Sequence, residues 1–208
     1  MSDVIDLPLR HRFVAGTTAA TPLLLLHGTG SNEDDLLPLG RALSPGAALL
    51  SPRGAASEHG MPRFFRRLAE GVFDEEDLRR RTADLARFLA EARSAYGLAA
   101  PVAVGFSNGA NIAAALLLLH PGVLAGAVLL RAMVPLTPPP ETVGPATPVL
   151  LLSGAADPIV RLDNSARLEA DLAQVGARVT RRVMPGGHEL TQADLSAAAD
   201  WLQMEHMR

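Results

Sequence analysis

The sequence contains no cysteine in its 208 residues, which removes disulfide frameworks, thiolate metal sites and a thiol nucleophile from consideration. Any nucleophile must be an oxygen or an amine. Nor is there an excess of positive charge: 19 basic residues against 22 acidic ones leave a formal charge of -3, too little cation to neutralise a nucleic-acid backbone or an anionic membrane surface. Long hydrophobic runs are missing as well. The longest aliphatic stretches, such as residues 23–26 and 113–119, fall well short of the roughly 18 residues that a membrane span needs. Residues 1–12 carry Asp3, Asp6, Arg10 and Arg12 without an apolar region, unlike a secretory signal. These absences lead to the expectation of a cytoplasmic protein with neither nucleic acid nor a membrane span.

What is present suits one folded unit. With 208 residues, 48% hydrophobic and 20% charged, the chain has the length of a single domain, residues 1–208, and the apolar content to fill its core. Short apolar runs alternate with stretches of helical period, the pattern of a parallel sheet covered by helices, so the fold class is α/β. Strands are expected at residues 22–27, 47–51, 101–105, 123–131, 148–153 and 178–184. Most are apolar throughout, as strands buried on both faces are. Residues 7–14 alternate instead, with Leu7, Leu9 and Phe13 opposite Arg10 and Arg12, which suits a half-exposed edge strand.

The clearest helix spans residues 74–96, where Leu78, Thr82, Leu85, Leu89, Ala92 and Tyr96 recur every three or four positions. Acidic side chains fill its first turn and Gly97 ends it. A last helix begins near Thr191, with Asp194 placed to complete a cap and Leu195, Ala198 and Leu202 as its inner stripe. Others are expected over residues 33–42, 108–119 and 163–175. Two connections, residues 52–73 and the proline-rich 132–147, lack a helical pattern. Both are expected at the mouth of a site, and neither is long enough to form a helical cap.

The chemistry concentrates in Gly105-Phe106-Ser107-Asn108-Gly109, a G-x-S-x-G directly after a strand and before a helix. In such an elbow the serine occupies a strained turn, and the flanking glycines remove side chains that would collide there. The alternative is a small-residue turn that merely packs helix on sheet. A hydroxyl is inert without a base. Among six histidines, His188 follows the last strand in a glycine-rich loop and is the candidate base, with His59 as runner-up; His11, His27, His120 and His206 read as structural. Asp157, a few residues after a strand, is the candidate for the carboxylate that orients the imidazole, against a turn-forming Asp-Pro reading. Asp163 is its nearest substitute but reads as a helix N-cap. The order Ser107, Asp157, His188 is that of a nucleophile-elbow architecture.

Oxyanion donors are expected from the Asn108 amide and, in His27-Gly28-Thr29-Gly30, from the Thr29 amide. That loop has neither the G-x-G-x-x-G nor the lysine of a phosphate site. For an apolar acyl slot the candidates are Phe64 and Phe65 in the first mouth loop, Phe106 beside the serine, and Met133 and Leu136 in the second loop, core packing being the alternative for each. Arg63, Arg66 and Arg67 read as a solvated basic cluster rather than an anion site.

Four stretches, Leu-Leu-His27-Gly28-Thr29-Gly30 with Glu33, Asp34 and Asp35 after it, Ser51-Pro-Arg53-Gly54, Gly-Phe-Ser107-Asn-Gly-Ala-Asn and Gly154-Ala-Ala-Asp157-Pro, together resemble the carboxylesterase/phospholipase family of α/β-hydrolases. The family includes acyl-protein thioesterase-like enzymes and the bacterial hydroquinone-resistance carboxylesterases, and the second group is the more similar. The resemblance, over about residues 22–190, implies a single-domain α/β-hydrolase fold: a mostly parallel central sheet, helices on both faces, no cap domain. It implies Ser107 as nucleophile, Asp157 as acid, His188 as base and oxyanion amides at Thr29 and Asn108. The expected activity is that of a cofactor- and metal-independent serine carboxylesterase acting on small-molecule esters of short to medium acyl chains through an acyl-enzyme. An acyl thioesterase or lysophospholipase is the alternative enzyme, and a non-catalytic binding protein on the same fold the alternative class. Asn108 stands where thioesterases of the family commonly carry glutamine, which counts against protein depalmitoylation. Absence of cysteine excludes a thiol-dependent dienelactone hydrolase. Related enzymes are often dimers, so a homodimer is one partner the resemblance implies.

Overall fold

The computed structural model describes residues 7–206. In chain order its elements are β1 (His11–Val14), β2 (Leu23–Leu26), α1 (Leu37–Leu43), β3 (Leu49–Pro52), β4 (Ala56–Glu58), β5 (Met61–Arg63), β6 (Arg67–Ala69), β7 (Val72–Phe73), α2 (Glu75–Tyr96), β8 (Val102–Phe106), α3 (Asn108–Leu119), β9 (Gly126–Leu130), β10 (Pro148–Gly154), α4 (Leu162–Gln174), β11 (Arg178–Met184) and α5 (Gln192–His206). Seven strands form the central sheet in the order β1-β3-β2-β8-β9-β10-β11. Only β1 runs antiparallel to its neighbour; every other pairing is parallel.

The uniformly apolar strands follow from burial on both faces, and each divides its side chains between two cores. Leu24 and Leu26 of β2, Ala127 and Leu129 of β9, and Val149 and Leu151 of β10 face α2, α3 and α4. Leu23 and Leu25, Val128 and Leu130, and Leu150 and Leu152 face α1 and α5. The sheet thus carries helices on both faces, and the expected layering holds. The α2 stripe from Leu78 to Ala92 is buried, together with Phe88, and Asp74 caps the helix through the Asp77 N–H at 3.0 Å. The cap expected at Thr191 also forms: its N–H donates to Asp194 Oδ2 (2.8 Å) and the Asp194 N–H to Thr191 Oγ1 (3.4 Å). Ala198 and Leu202 are buried beside Ala197 and Trp201, while Leu195 is half-buried.

Several boundaries differ from expectation for local reasons. Helix α1 starts at Leu37, because the Asp34 N–H donates to Asn32 Oδ1 (2.8 Å) and the Asn32 N–H to Asp35 Oδ2 (2.7 Å), giving residues 32–35 non-helical partners. Asp163 is not the cap of α4: the cap position is Arg161, and Asp163 lies in the first turn with its carboxylate on the Arg161 guanidinium at 3.0 Å. Strand β1 is shorter than residues 7–14, although Leu7 and Leu9 still pack on the core ahead of it. Strand β9 is likewise confined to Gly126–Leu130. Strand β11 is partly exposed throughout rather than buried on both faces, since it forms the second edge of the sheet. The first patternless connection folds as two small hairpins, β4–β5 and β6–β7. Among the described residues no helix is long and apolar enough to cross a membrane. Of the stretch that lacks signal-peptide character, residues 1–6 lie outside the described residues.

Candidate active site

The carboxyl ends of β8, β10 and β11 lie along one edge of the sheet, with β9 between the first two, and the segment after each delivers one polar side chain to the same place. After β8 the backbone reverses at Ser107, whose φ of +51° is rare for a side-chain-bearing residue, and α3 begins at once. The glycines make this possible. A Cβ on Gly105 would lie 2.6 Å from the Gly109 carbonyl oxygen, and one on Gly109 only 2.0 Å from that of Leu26. The Ser107 N–H donates to the Leu130 carbonyl at 2.9 Å, tying the turn to β9. Its hydroxyl therefore stands at the sheet edge beside the amino end of α3, where developing negative charge is favoured.

The Ser107 hydroxyl donates to His188 Nε2 at 3.0 Å, and His188 Nδ1–H donates to Asp157 Oδ2 at 2.9 Å. The other carboxylate oxygen, Asp157 Oδ1, accepts from the Ile159 and Val160 N–H groups at 2.8 and 3.0 Å. The Asp157 side chain is fully buried, whereas His188 remains 20% exposed to the cavity. Burial works to raise the Asp157 carboxyl, but the bonds from Val160, His188 and Ile159 outweigh it and hold the group below the ordinary carboxylate range. It is charged at neutral pH and fixes which imidazole nitrogen carries the proton.

The remaining histidines stand elsewhere. His59 is exposed at the turn of the β4–β5 hairpin. His27 is fully buried: its Nδ1–H donates to the Gly28 carbonyl (2.7 Å), its Nε2 accepts from the Gly54 N–H (3.0 Å), and burial lowers its pKa. His11 meets the Tyr96 hydroxyl at 2.7 Å, and His120 closes α3. The His206 side chain lies outside the described residues.

A cavity of about 250 Å³ opens over Ser107 and His188, bordered by both Thr29 and Asn108. The Asn108 amide belongs to the first turn of α3, where an N–H has no intrahelical acceptor. Its side-chain Oδ1 accepts from the Phe64 N–H at 2.7 Å and so braces the first mouth loop against the elbow. Of the five apolar candidates, Phe106 and Met133 border the cavity. Phe64, Phe65 and Leu136 do not: each is buried in the core beneath the mouth, where an apolar side chain loses more water contact than it would as a half-wet wall, and Phe65 packs edge-on to Phe73 at 5.1 Å. The two connections do reach the mouth, through Phe73 and Met133.

The basic cluster divides. Arg66 is exposed and paired with Asp74, as expected of a solvated side chain. Arg63 is only 3% exposed and borders the cavity; its guanidinium lies 3.0 Å from Glu58, donates to the Phe65 carbonyl (3.1 Å) and to Thr29 Oγ1 (2.8 Å). Arg67 shares Glu58 with it at 3.0 Å. Asn111, Phe73 and Ile159 also border the cavity and were not singled out by pattern. Asn111 could have been, as a second amide side chain one helical turn beyond Ser107; its Oδ1 accepts from the Met133 N–H at 2.8 Å.

A hydroxyl, an imidazole and a buried carboxylate in bonded sequence can pass a proton from the first to the second, and a sheet of this order with a glycine-flanked serine at its centre is the α/β-hydrolase fold. The protein is thus an enzyme of the hydrolase class. More narrowly, residues 11–206 match the Phospholipase/Carboxylesterase family, and the chain belongs to it. It is 45% identical over 197 residues to MhqD of Bacillus subtilis (strain 168), named as a hydrolase, covering 93% of this chain and 97% of that protein. It is similar to the crystal structure of the Bacillus cereus carboxylesterase, with 44% identity, 95% of each chain covered and a TM-score of 0.92. The carboxylesterase structure from Mesorhizobium loti gives 35% identity, 95% and 96% coverage and a TM-score of 0.91.

Proposed function

We propose that the protein is a serine carboxylesterase that hydrolyses short- to medium-chain esters of small molecules through an acyl-enzyme, with Ser107, His188 and Asp157 as its triad. His188 Nε2 takes the proton as Ser107 Oγ bonds to the ester carbonyl carbon. The tetrahedral oxyanion is held by the amides of Thr29 and Asn108. Collapse expels the alcohol, which takes the proton from His188; water then attacks the acyl-enzyme with the same imidazole as base and regenerates Ser107. Asp157 keeps the Nδ1 proton in place and stabilises the imidazolium.

The observation that carries this reading is the unbroken row Ser107–His188–Asp157, at 3.0 and 2.9 Å, with the carboxylate's other oxygen tied down by two backbone amides. The cavity volume of about 250 Å³ supports a small acyl group, since it falls below the roughly 300–1,000 Å³ typical of ligand pockets. The test is a p-nitrophenyl ester panel from acetate upward on wild type and Ser107→Ala. Turnover should fall with lengthening chains and drop by about 10⁶ in the variant, the loss seen when such a serine is removed from a protease with the same three groups. Full esterase activity in Ser107→Ala would overturn the mechanism.

A further inference from the structure

Arg131 directly follows β9, is fully buried and has a φ of +59°. Its guanidinium grips the Asp194 carboxylate with two bonds, Nη1 to Oδ1 at 2.8 Å and Nη2 to Oδ2 at 2.9 Å. The remaining donors go to main-chain carbonyls: Nε to Gly187 (2.8 Å), Nη2 to Glu189 (3.1 Å) and Nη1 to Leu152 (3.4 Å). Gly187 and Glu189 are the two neighbours of His188. From the proposed function we infer that Arg131 is the positioning residue of His188, holding the peptide on both sides of the imidazole while Asp194 holds the arginine.

Stability alone does not account for this pair. Burying two charges is costly, and apolar residues of equal volume usually serve the fold as well or better. What an apolar pair cannot supply is a rigid fork of donors aimed at several carbonyls at once. The segment needs one. It runs Pro185-Gly186-Gly187-His188, and its backbone bonds to the β10 loop, Ala155 N–H to Met184 (2.8 Å) and Ala156 N–H to Gly186 (2.9 Å), all precede His188. The Arg131 bonds reach past it to Glu189. The same residue also gathers the other two arms of the triad. Its own N–H donates to Leu152 of β10, the strand leading to Asp157, and its predecessor Leu130 accepts the Ser107 N–H, both at 2.9 Å. Arg131 is therefore where the three loops share a fixed reference, and a displacement of about 1 Å between reacting groups costs on the order of 10²-fold in rate.

The test uses Arg131→Met/Asp194→Asn, which leaves no unpaired charge in the core, alongside Arg131→Lys, which keeps the charge but not the fork. Active sites are titrated with a fluorophosphonate, and kcat per titrated site, KM for p-nitrophenyl acetate and Tm are measured. The double variant should turn over about 10- to 100-fold more slowly per site with KM unchanged. Arg131→Lys should lose more than threefold but less than the double variant, and carries the test alone should the double variant not fold. A purely structural arginine would lower Tm and leave kcat per site untouched, and a value within threefold of wild type overturns the inference. Ser107→Ala run in parallel separates the two levels. If it too keeps its activity, the triad reading fails; if it is inactive while the Arg131 variants are normal, only the positioning role fails.

Discussion

Replacing Asp157 by asparagine changes one atom of the side chain, yet the surroundings dictate a specific failure. Asp157 Oδ1 accepts from two backbone amides, Ile159 at 2.8 Å and Val160 at 3.0 Å, and an amide nitrogen placed there would face two donors. The asparagine oxygen must therefore take that position, which leaves its NH2 beside His188 Nδ1, where the present bond is 2.9 Å long. Nδ1 then has to accept, the ring proton moves to Nε2, and Nε2 confronts the Ser107 hydroxyl with a donor instead of a lone pair. The nucleophile has lost its base while every group stays within bonding distance. In a protease with the same three groups the wrong tautomer lowers kcat by about 10⁴, or about 5.4 kcal/mol at 1.36 kcal/mol per tenfold. Steady-state hydrolysis of p-nitrophenyl acetate by Asp157→Asn at pH 7.5 reads this directly, and thermal unfolding checks that the fold survives. A variant within tenfold of wild-type kcat refutes the tautomer argument, since the geometry offers the amide no other orientation.

Gly109→Ala places a methyl 2.0 Å from the Leu26 carbonyl oxygen, which neither β2 nor α3 can avoid without separating. Urea denaturation should show a loss of about 1–3 kcal/mol, and a shift below about 1 kcal/mol would mean that the elbow adapts. His27 governs the acid side. Burial disfavours the charged imidazolium and lowers its pKa, so the unfolded chain takes up a proton near pH 6.5 that the folded one refuses. Stability is complete above that pH and falls below it by up to about 1.4 kcal/mol per pH unit. The urea midpoint should drop between pH 7 and 5, less so in His27→Gln, and an equal drop in both would acquit the residue.

The elbow was legible because its constraints are local: glycine, serine and glycine meet one another within five residues, between a strand and a helix that periodicity already separates. Asp157 and His188 could be read from chain order and from their place after strands, since a parallel sheet brings all its carboxyl ends to one edge. Other side chains whose partners are distant in sequence were not legible. Phe64 and Phe65 look the same as pocket wall or as core, and only the position of α2 and of Phe73 decides for core. Arg63 belongs by pattern to a solvated run, yet meets Glu58 and Thr29 in the interior. Arg131 left one signal, a lone charge closing an apolar strand, but its bonds span 21 to 63 residues, beyond the reach of any periodicity.

The exposed flank at β11 bears on how copies of this chain can meet. Arg178 and Arg181 project from it and are already engaged by Glu205 and Glu169 at 2.7 Å, while Arg182 stays open to water. Two molecules aligned there backbone to backbone would crowd guanidinium against guanidinium and break those pairings, a guard against fibre-like extension. Neutralising these arginines by substitution would remove that guard and leave the β11 edge open to pairing with a second copy.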